Sequence, residues 1–137
     1  MSLPGVGGGY QIGDGNINEM KLGAIAAPAA MTSTATIAVA DLLTGMILGS
    51  PGTSAATYTL PTVALLEASL GNATKVGASF DFNVINVDGS SSGVITIAAG
   101  TGWTIVGLAT VVATAGTAQQ FRARKTGDGT WTLYRLG

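Results

Sequence analysis

The acidic side chains are the first residues to consider for chemistry, because two carboxylates about 5 to 10 Å apart in a cleft suffice to hydrolyse a glycosidic bond. The chain has seven of them: Asp14, Glu19, Asp41, Glu67, Asp81, Asp88 and Asp128. Their spacing singles out no pair, since Asp88 and Asp128 each precede a glycine in a predicted turn and Asp81 lies on the polar face of a predicted strand. A carboxylate-based glycan hydrolase remains an alternative, to be tested at Glu67 and Asp81.

Two residue types that dominate catalytic sites are missing, because the chain has neither His nor Cys. Without His it lacks the commonest general base and the commonest metal ligand. Without Cys it forms no disulfide and no thiolate zinc site. The composition therefore predicts a protein that is not an enzyme and that has no cofactor and no metal.

Three short motifs resemble functional loops. "GSSSG" at 89–93 fits the nucleophile elbow of hydrolases, which requires a strand-to-helix turn and a His partner. "GVGGGY" places Tyr10 where a dinucleotide-binding loop requires its third glycine. "DGNIN" has calcium-loop spacing, but Glu19 stands where the loop requires glycine. We interpret the first motif as a flexible hairpin loop and the other two as parts of an N-terminal arm.

Basic residues are concentrated at the C-terminus, where the last sixteen residues hold four of the six in the chain. "QQFRARKTGDGTWTLYRLG" predicts a hairpin, with Asp128-Gly129 as a type I′ turn signal. A two-residue loop places Arg122 opposite Arg135. A three-residue loop instead pairs Arg122 with Tyr134 and Lys125 with Trp131, which would allow cation–π contacts. The sequence leaves both registers open.

In either register Arg122 and Arg124 share one face of the hairpin, opposite to Phe121 and Ala123. One interpretation is that the basic residues keep the outer face soluble and protect a sheet edge. The other is that they dock on an acidic patch of a partner protein. The candidate partner-binding residues of this hairpin are Arg122, Arg124 and Arg135.

Composition indicates a weakly charged, single-domain β protein, with 9% charged residues, 21 glycines and a net charge of −1. Six basic residues make a poor footprint for nucleic acid. The chain has no apolar run of about 18 residues, so we expect no membrane span. The N-terminus does not resemble a signal peptide. So little charge predicts that a partner, or copies of the chain itself, cover part of the surface.

The chain divides into an arm and a body. Residues 1–23 are glycine-rich and predict an extended arm that is either disordered or ordered only against a partner, with Tyr10, Ile12 and Met20 as candidate contacts. Residues 24–137 predict a jelly-roll-like β-sandwich with one short helix over "PTVALLEASLGN". The predicted strands are "MTSTATIAVADL", "GMILGS", "ATYTL", "SFDFNVIN", "VITIA", "WTIVG", "ATVVAT", "QQFRARK" and "TWTLYRL".

Three stretches, "YTLPTVALLEASLGNATKVGASFDFNVIN", "ITIAAGTGWTIVG" and "FRARKTGDGTWTLYRLG", carry a family resemblance. They resemble, over residues 57–137, a module of tailed-bacteriophage virion proteins that recurs in capsid decoration (cement) proteins and in some head-fibre and tail-fibre proteins. The resemblance implies a β-rich, commonly trimeric protein on the outer capsid surface. We therefore expect a structural virion protein that binds the major capsid protein and itself, as a homotrimer, and bridges capsomers. The alternative is a head-fibre or tail-fibre receptor-binding module.

Overall fold

The computed structural model describes residues 24–71 and 74–137, which form ten strands and two short helices. The prediction of a mainly β protein is confirmed. The helices are α1 (Val39–Leu42) and α2 (Val63–Leu70). The strands are β1 (Ala29–Met31), β2 (Ala35–Thr36), β3 (Met46–Gly49), β4 (Ala56–Thr59), β5 (Ser79–Asn86), β6 (Ile95–Ala98), β7 (Trp103–Val106), β8 (Thr110–Val111), β9 (Thr117–Gly127) and β10 (Thr130–Leu136).

The strands form two sheets. The large sheet has six strands in the order β1-β3-β5-β9-β10-β7, and the small sheet has four in the order β2-β4-β6-β8. Neighbours are parallel in five pairs (β1–β3, β3–β5, β2–β4, β4–β6 and β7–β10) and antiparallel in three. Because a jelly roll is built from antiparallel strands, the jelly-roll-like arrangement is not confirmed.

The parallel pairs arise because the chain alternates between the sheets from β1 to β6. Strands β1 and β2, β3 and β4, and β5 and β6 form three successive coils, each of which crosses from the large sheet to the small one. Ala29 on the first coil pairs with Ile47 at the equivalent position of the second. Strands β9 and β10 then extend the large sheet as an antiparallel hairpin.

Helix α2 lies in the connection between the second and third coils, and its predicted start and stop are confirmed. The Thr62 hydroxyl accepts a hydrogen bond from the Leu65 amide at 3.3 Å, which caps the N-terminus. Gly71 ends the helix with a φ of 86°, in the region that favours glycine. Val63 and Leu66 are buried, and this packing sustains a helix too short to be stable alone.

The prediction that residues 31–42 form one strand is wrong. It contains the end of β1, all of β2 and the one-turn helix α1. Its alternation of Thr and Ala with Ile37 and Val39 mimics a strand, but the chain has to leave the large sheet here and return to it. Ile37 fixes the crossing point, since its side chain is buried and its amide donates to the Thr59 carbonyl at 2.8 Å.

The predicted hairpin between β5 and β6 is also wrong, because these strands belong to different sheets. The loop between them, which contains "GSSSG", is held by the buried Asn86 at the end of β5. The Asn86 side-chain amide donates to the carbonyls of Gly93 and Val112, both at 2.9 Å, and its oxygen accepts from the Gly89 amide. These bonds satisfy a fully buried polar group.

The inner faces of both sheets and the two helices share one hydrophobic core. The large sheet contributes Ile47, Phe82, Val84, Phe121 and Leu133, and the small sheet contributes Tyr58, Ile95, Ile97 and Val111. The Tyr58 hydroxyl satisfies its hydrogen-bonding need by donating to the Met31 carbonyl at 2.9 Å. Burial raises the pKa of Tyr58.

Candidate binding surface

The C-terminal hairpin adopts the second of the two predicted registers. Arg122 lies opposite Tyr134, and Lys125 lies opposite Trp131. The turn is not type I′, because Asp128 has no positive φ whereas Gly129 has a φ of 69°. A register shift follows between Thr130 and Trp131. One left-handed glycine followed by a bulge is typical of a type I turn with a G1 bulge, and the bulge moves the pairing by one residue.

The side of the large sheet that points away from the core is called the outer face here. On β9 it carries Arg122 and Arg124, as predicted, while Phe121 and Ala123 are buried on the other side. The strand pairing places Asp81 and Tyr134 on either side of Arg122. Ser79 and Thr132 flank Arg124 in the same way. This half of the outer face is polar and basic.

Arg122 forms a bidentate ion pair with Asp81. The guanidinium Nε and Nη2 donate to the two carboxylate oxygens at 2.7 and 3.0 Å. These bonds hold the pKa of the Asp81 carboxyl below its ordinary value of 3.8, and raise that of Arg122. Among the ion pairs between described residues, Arg124 takes part in none. Among the described residues, Arg124 is therefore the basic side chain of this half of the outer face that no carboxylate neutralises.

Arg135 does not belong to this cluster, which corrects the grouping of the three arginines. It pairs across the hairpin with the buried Phe121, so its side chain leaves the sheet on the opposite side from Arg122. Its Nη1 donates to the Leu108 carbonyl at 2.9 Å, and its Nε donates to the Gly137 carbonyl. Arg135 thus ties the connection after β7 to the last strand.

Lys125 also points inward, although its pairing with Trp131 was predicted as a cation–π contact. Its ammonium donates to Glu67 Oε2 of α2 at 2.5 Å, and the Trp131 indole N–H donates to the same oxygen at 3.0 Å. The bonds from Lys125 and then Trp131 hold the pKa of Glu67 below its ordinary value of 4.5. The three residues join α2 to the hairpin. The inward direction of Lys125 could have been predicted from the alternation of β9, because it places Lys125 on the side of Phe121 and Ala123.

The other half of the outer face is apolar. The strand pairing aligns four side chains across β1, β3, β5 and β9 in one row: Ala30, Leu48, Ile85 and Ala118. Leu48 and Ile85 are half-buried, and Ala30 and Ala118 are exposed. A second row of Met46, Asn83, Gln120 and Leu136 separates the apolar row from the basic half. The apolar row is not visible in the sequence, because its four members come from distant strands.

Two hollows lie near the C-terminal end of α2. The larger has a volume of about 470 Å³ and is mainly apolar, lined by Leu43, Leu70, Ala78, Phe80 and Trp131 with Thr74, Lys75 and Ser79. The smaller, of about 330 Å³, is polar and includes Glu67, Lys125 and Asp128. Its Glu67 and Lys125 already bond each other, so these two groups serve the fold.

The other motifs divide between described and undescribed residues. The "GSSSG" loop joins two strands and not a strand to a helix, so it lacks the geometry of a nucleophile elbow. Tyr10, Ile12 and Met20, together with "GVGGGY" and "DGNIN", lie outside the described residues. Within residues 24–71 and 74–137 no three His, Cys, Asp or Glu side chains come together as a metal site. No helix in the same ranges is long and apolar enough to cross a membrane.

Comparison of the chain with protein-family models, with curated proteins and with solved structures finds no match.

Proposed function

We propose that this protein is a structural virion protein that binds the outer surface of a phage capsid as a homotrimer and stabilises the shell by bridging capsomers. The family resemblance of residues 57–137 supports the proposal, and these residues run from β4 to the end of β10. Its partners are the major capsid protein and further copies of the chain.

The observation that carries the proposal is the outer face of the large sheet. It joins an apolar row, Ala30–Leu48–Ile85–Ala118, to a basic half that holds Arg124. Apolar area supplies affinity in a protein interface, and charges beside it set orientation and partner choice. Such a surface suits contact with an acidic patch on a protein shell. Repetition over many sites then makes individually weak contacts collectively strong.

Self-association is supported by apolar side chains exposed beyond this face. Val106, Leu108 and Val112, on or next to β7 and β8, are at least half exposed. A three-fold assembly would bury such residues between protomers. Light scattering on the purified protein tests this part, with a mass of three chains expected.

The carboxylates singled out for the glycan-hydrolase alternative are both engaged in ion pairs. Asp81 accepts both bonds from Arg122, and Glu67 accepts from Lys125 and Trp131. A general acid needs a pKa raised toward neutrality, whereas both of these pKa values are lowered. An activity assay on cell-envelope glycans with Asp81→Asn and Glu67→Gln tests this alternative directly. Activity that either substitution abolishes would establish the enzyme.

A fibre-type receptor-binding module remains the second candidate, favoured by the loop after β5. Its serines Ser90, Ser91 and Ser92 are exposed, and Asn86 fixes its two glycines. A rigid loop of exposed hydroxyls suits contact with host-surface glycans. Binding of the protein to host cells, lost when the three serines are replaced by alanine, would favour this function over capsid decoration.

Co-sedimentation with capsids prepared without this protein tests the main proposal. We expect saturable binding, and Arg124→Glu should weaken it about tenfold by reversing the free charge of the outer face. Lys75→Glu is the matched control, because it makes the same charge change at an exposed residue beside the larger hollow. Equal loss of binding in both variants would show that only net charge matters and would contradict the assigned surface.

Deleting residues 1–20 tests the contribution of the arm, in which Tyr10, Ile12 and Met20 are the candidate contacts. We expect a folded oligomer whose binding to capsids is weaker, because an arm that orders on binding spreads its contacts over a neighbouring subunit. Unchanged capsid binding would remove the arm from the interface.

A further inference from the structure

The small sheet also has a side that points away from the core, which is called the threonine face here. Strand pairing aligns its side chains in two rows, Thr36–Thr59–Ala98 and Thr57–Thr96–Thr110. The residues that alternate with them are buried in the core, namely Tyr58, Ile95, Ile97 and Val111. The face is therefore built mainly of threonine.

The chain on either side of β8 extends the threonine face with larger apolar side chains. The Ile97 amide donates to the Ala109 carbonyl at 2.8 Å, so the pairing with β6 begins before the first residue of β8. Burial alternates along the same stretch, since Ala109 and Val111 are buried whereas Leu108 is 67% exposed and Val112 is 56% exposed. Leu108 and Val112 therefore belong to the threonine face.

The threonine face carries no charge. None of the charged residues within 24–71 and 74–137 lies on β2, β4, β6 or β8. A threonine hydroxyl both donates and accepts hydrogen bonds, and the methyl group beside it packs against other apolar groups. A surface of this composition is complementary to an identical surface, because each hydroxyl finds a partner in its equivalent.

Charge distinguishes the two sheets as contacts between copies. In a symmetric assembly the same surface of each copy approaches its equivalents. The outer face of the large sheet then repels its own copy, because no carboxylate among the described residues neutralises Arg124. The threonine face meets no such repulsion, so a second copy is the occupant that fits it.

The threonine face has the area of an interaction site. Four strands about 4.8 Å apart, with about five residues of about 3.3 Å along each, cover roughly 300 Å². Contiguous patches of a few hundred Å² that are largely apolar mark contact sites on soluble proteins. Stable interfaces bury about 800 Å² on each partner, so association through this face alone should be weak and depend on concentration.

We propose that copies of this chain associate through the threonine face, which leaves the outer face of the large sheet for another partner. Leu108 and Val112 then lie in the contact. Val106 lies outside it, because Val106 pairs with Tyr134, which shares the outer face of the large sheet with Arg122. The inference rests on the self-association in the proposed function and not on the binding of capsids.

Light scattering over a concentration series tests the surface. Val112→Asp should raise the concentration at which half of the chains are associated by about tenfold, because it buries an unpaired carboxylate in the contact. Val106→Asp is the matched control, since it places the same charge at a valine that is 50% exposed on the other sheet, and it should associate like the wild type. Near-UV circular dichroism checks that both variants are folded.

Two results of this series would overturn the proposal. Association that Val112→Asp leaves unchanged, or that both variants weaken equally, would show that the contact lies elsewhere. A wild type that keeps the mass of one chain at every concentration would exclude self-association. An oligomer that Val112→Asp dissociates, but that does not bind capsids, would support this inference and contradict the proposed capsid role.

Thiol labelling gives a second test that adds no charge, because the chain contains no cysteine. Thr96→Cys places one thiol at the centre of the threonine face, and Gln120→Cys places one on the outer face of the large sheet. Maleimide labelling of Thr96→Cys should slow about tenfold when about nine-tenths of the chains are associated, since only free chains react. Gln120→Cys should react at the same rate throughout. Equal slowing at both positions, or at neither, in a protein that associates would overturn the assignment.

Discussion

Each face of β9 carries a basic residue in an ion pair, and the two ion pairs have different roles. On the inner face Lys125 bonds Glu67, with side chains 11% and 23% exposed. On the outer face, three residues away, Arg122 bonds Asp81, with side chains 50% and 34% exposed. The inner pair joins α2 to the hairpin and includes Trp131. Burial, and not residue type, separates a structural ion pair from a surface available to a partner.

Arg124 differs from Arg122 although both lie on the outer face, because the charge of Arg122 is already paired. Arg122 is neutralised by Asp81, whereas Arg124 has no such pair among the described residues. The outer face therefore keeps a net positive charge beside an apolar row. Substitutions on the inner face should change stability, and those on the outer face should change binding.

The largest loss of stability is expected when Phe121, on the inner face of β9, is replaced. Phe121→Ala should cost about 3–5 kcal/mol of the free energy of unfolding, because Phe121 is fully buried against Phe82 and its loss leaves a cavity. Urea denaturation measures the change. The neighbouring outer-face variant Gln120→Ala should stay within about 0.5 kcal/mol. Similar losses in both would contradict the division between the faces.

A smaller loss should follow when the inner ion pair is broken. Lys125→Met leaves the Glu67 carboxylate without its cation, so the urea midpoint should fall, though less than with Phe121→Ala. Adding Glu67→Gln should recover most of that loss, because the amide oxygen still accepts from Trp131 while the unpaired charge is gone. If the double variant were less stable than Lys125→Met, the pair would not act as a unit.

Acid should act mainly through the same inner pair. The folded-state pKa of Glu67 is lowered from 4.5, so its contribution to stability is fully present above pH 4.5 and is lost as the pH falls through the lowered value. Thermal unfolding of the wild type should therefore weaken with acid more steeply than that of Glu67→Gln. Parallel curves for the two proteins would show that Glu67 does not carry this dependence.

The smallest effect on stability is expected at the outer ion pair. Arg122→Gln should leave the melting temperature almost unchanged, because exposed ion pairs contribute little and are screened by salt. Raising the salt concentration should remove what difference there is. A loss comparable to that of Lys125→Met would mean that the outer pair is structural as well.

Local signals made helix α2 and the two faces of β5 and β9 predictable. Thr62 and Gly71 mark the ends of α2, and the strict alternation of β5 and β9 assigns their faces correctly. The register of the hairpin was not predictable, because the bulge after Gly129 depends on a backbone choice that "DG" alone leaves open. Arg135 was misplaced for the same reason.

The coil arrangement and the apolar row could not be predicted, because both depend on contacts between distant residues. Alternation within residues 31–42 resembles one strand, and nothing local shows that the chain turns back toward the large sheet after Ile37. The row needs Ala30, Leu48, Ile85 and Ala118 to align across four strands. Their sequence separations reveal no period, since α2 lengthens the connection before β5.

The most direct test of the central claim is the thermal stability of capsids that lack the protein, measured with increasing amounts of it added. We expect saturable binding to the outer surface and a rise in the temperature at which the shell opens. Arg124→Glu should require more protein for the same rise, and Lys75→Glu should behave like the wild type. Capsids that neither bind the protein nor change their stability would contradict it.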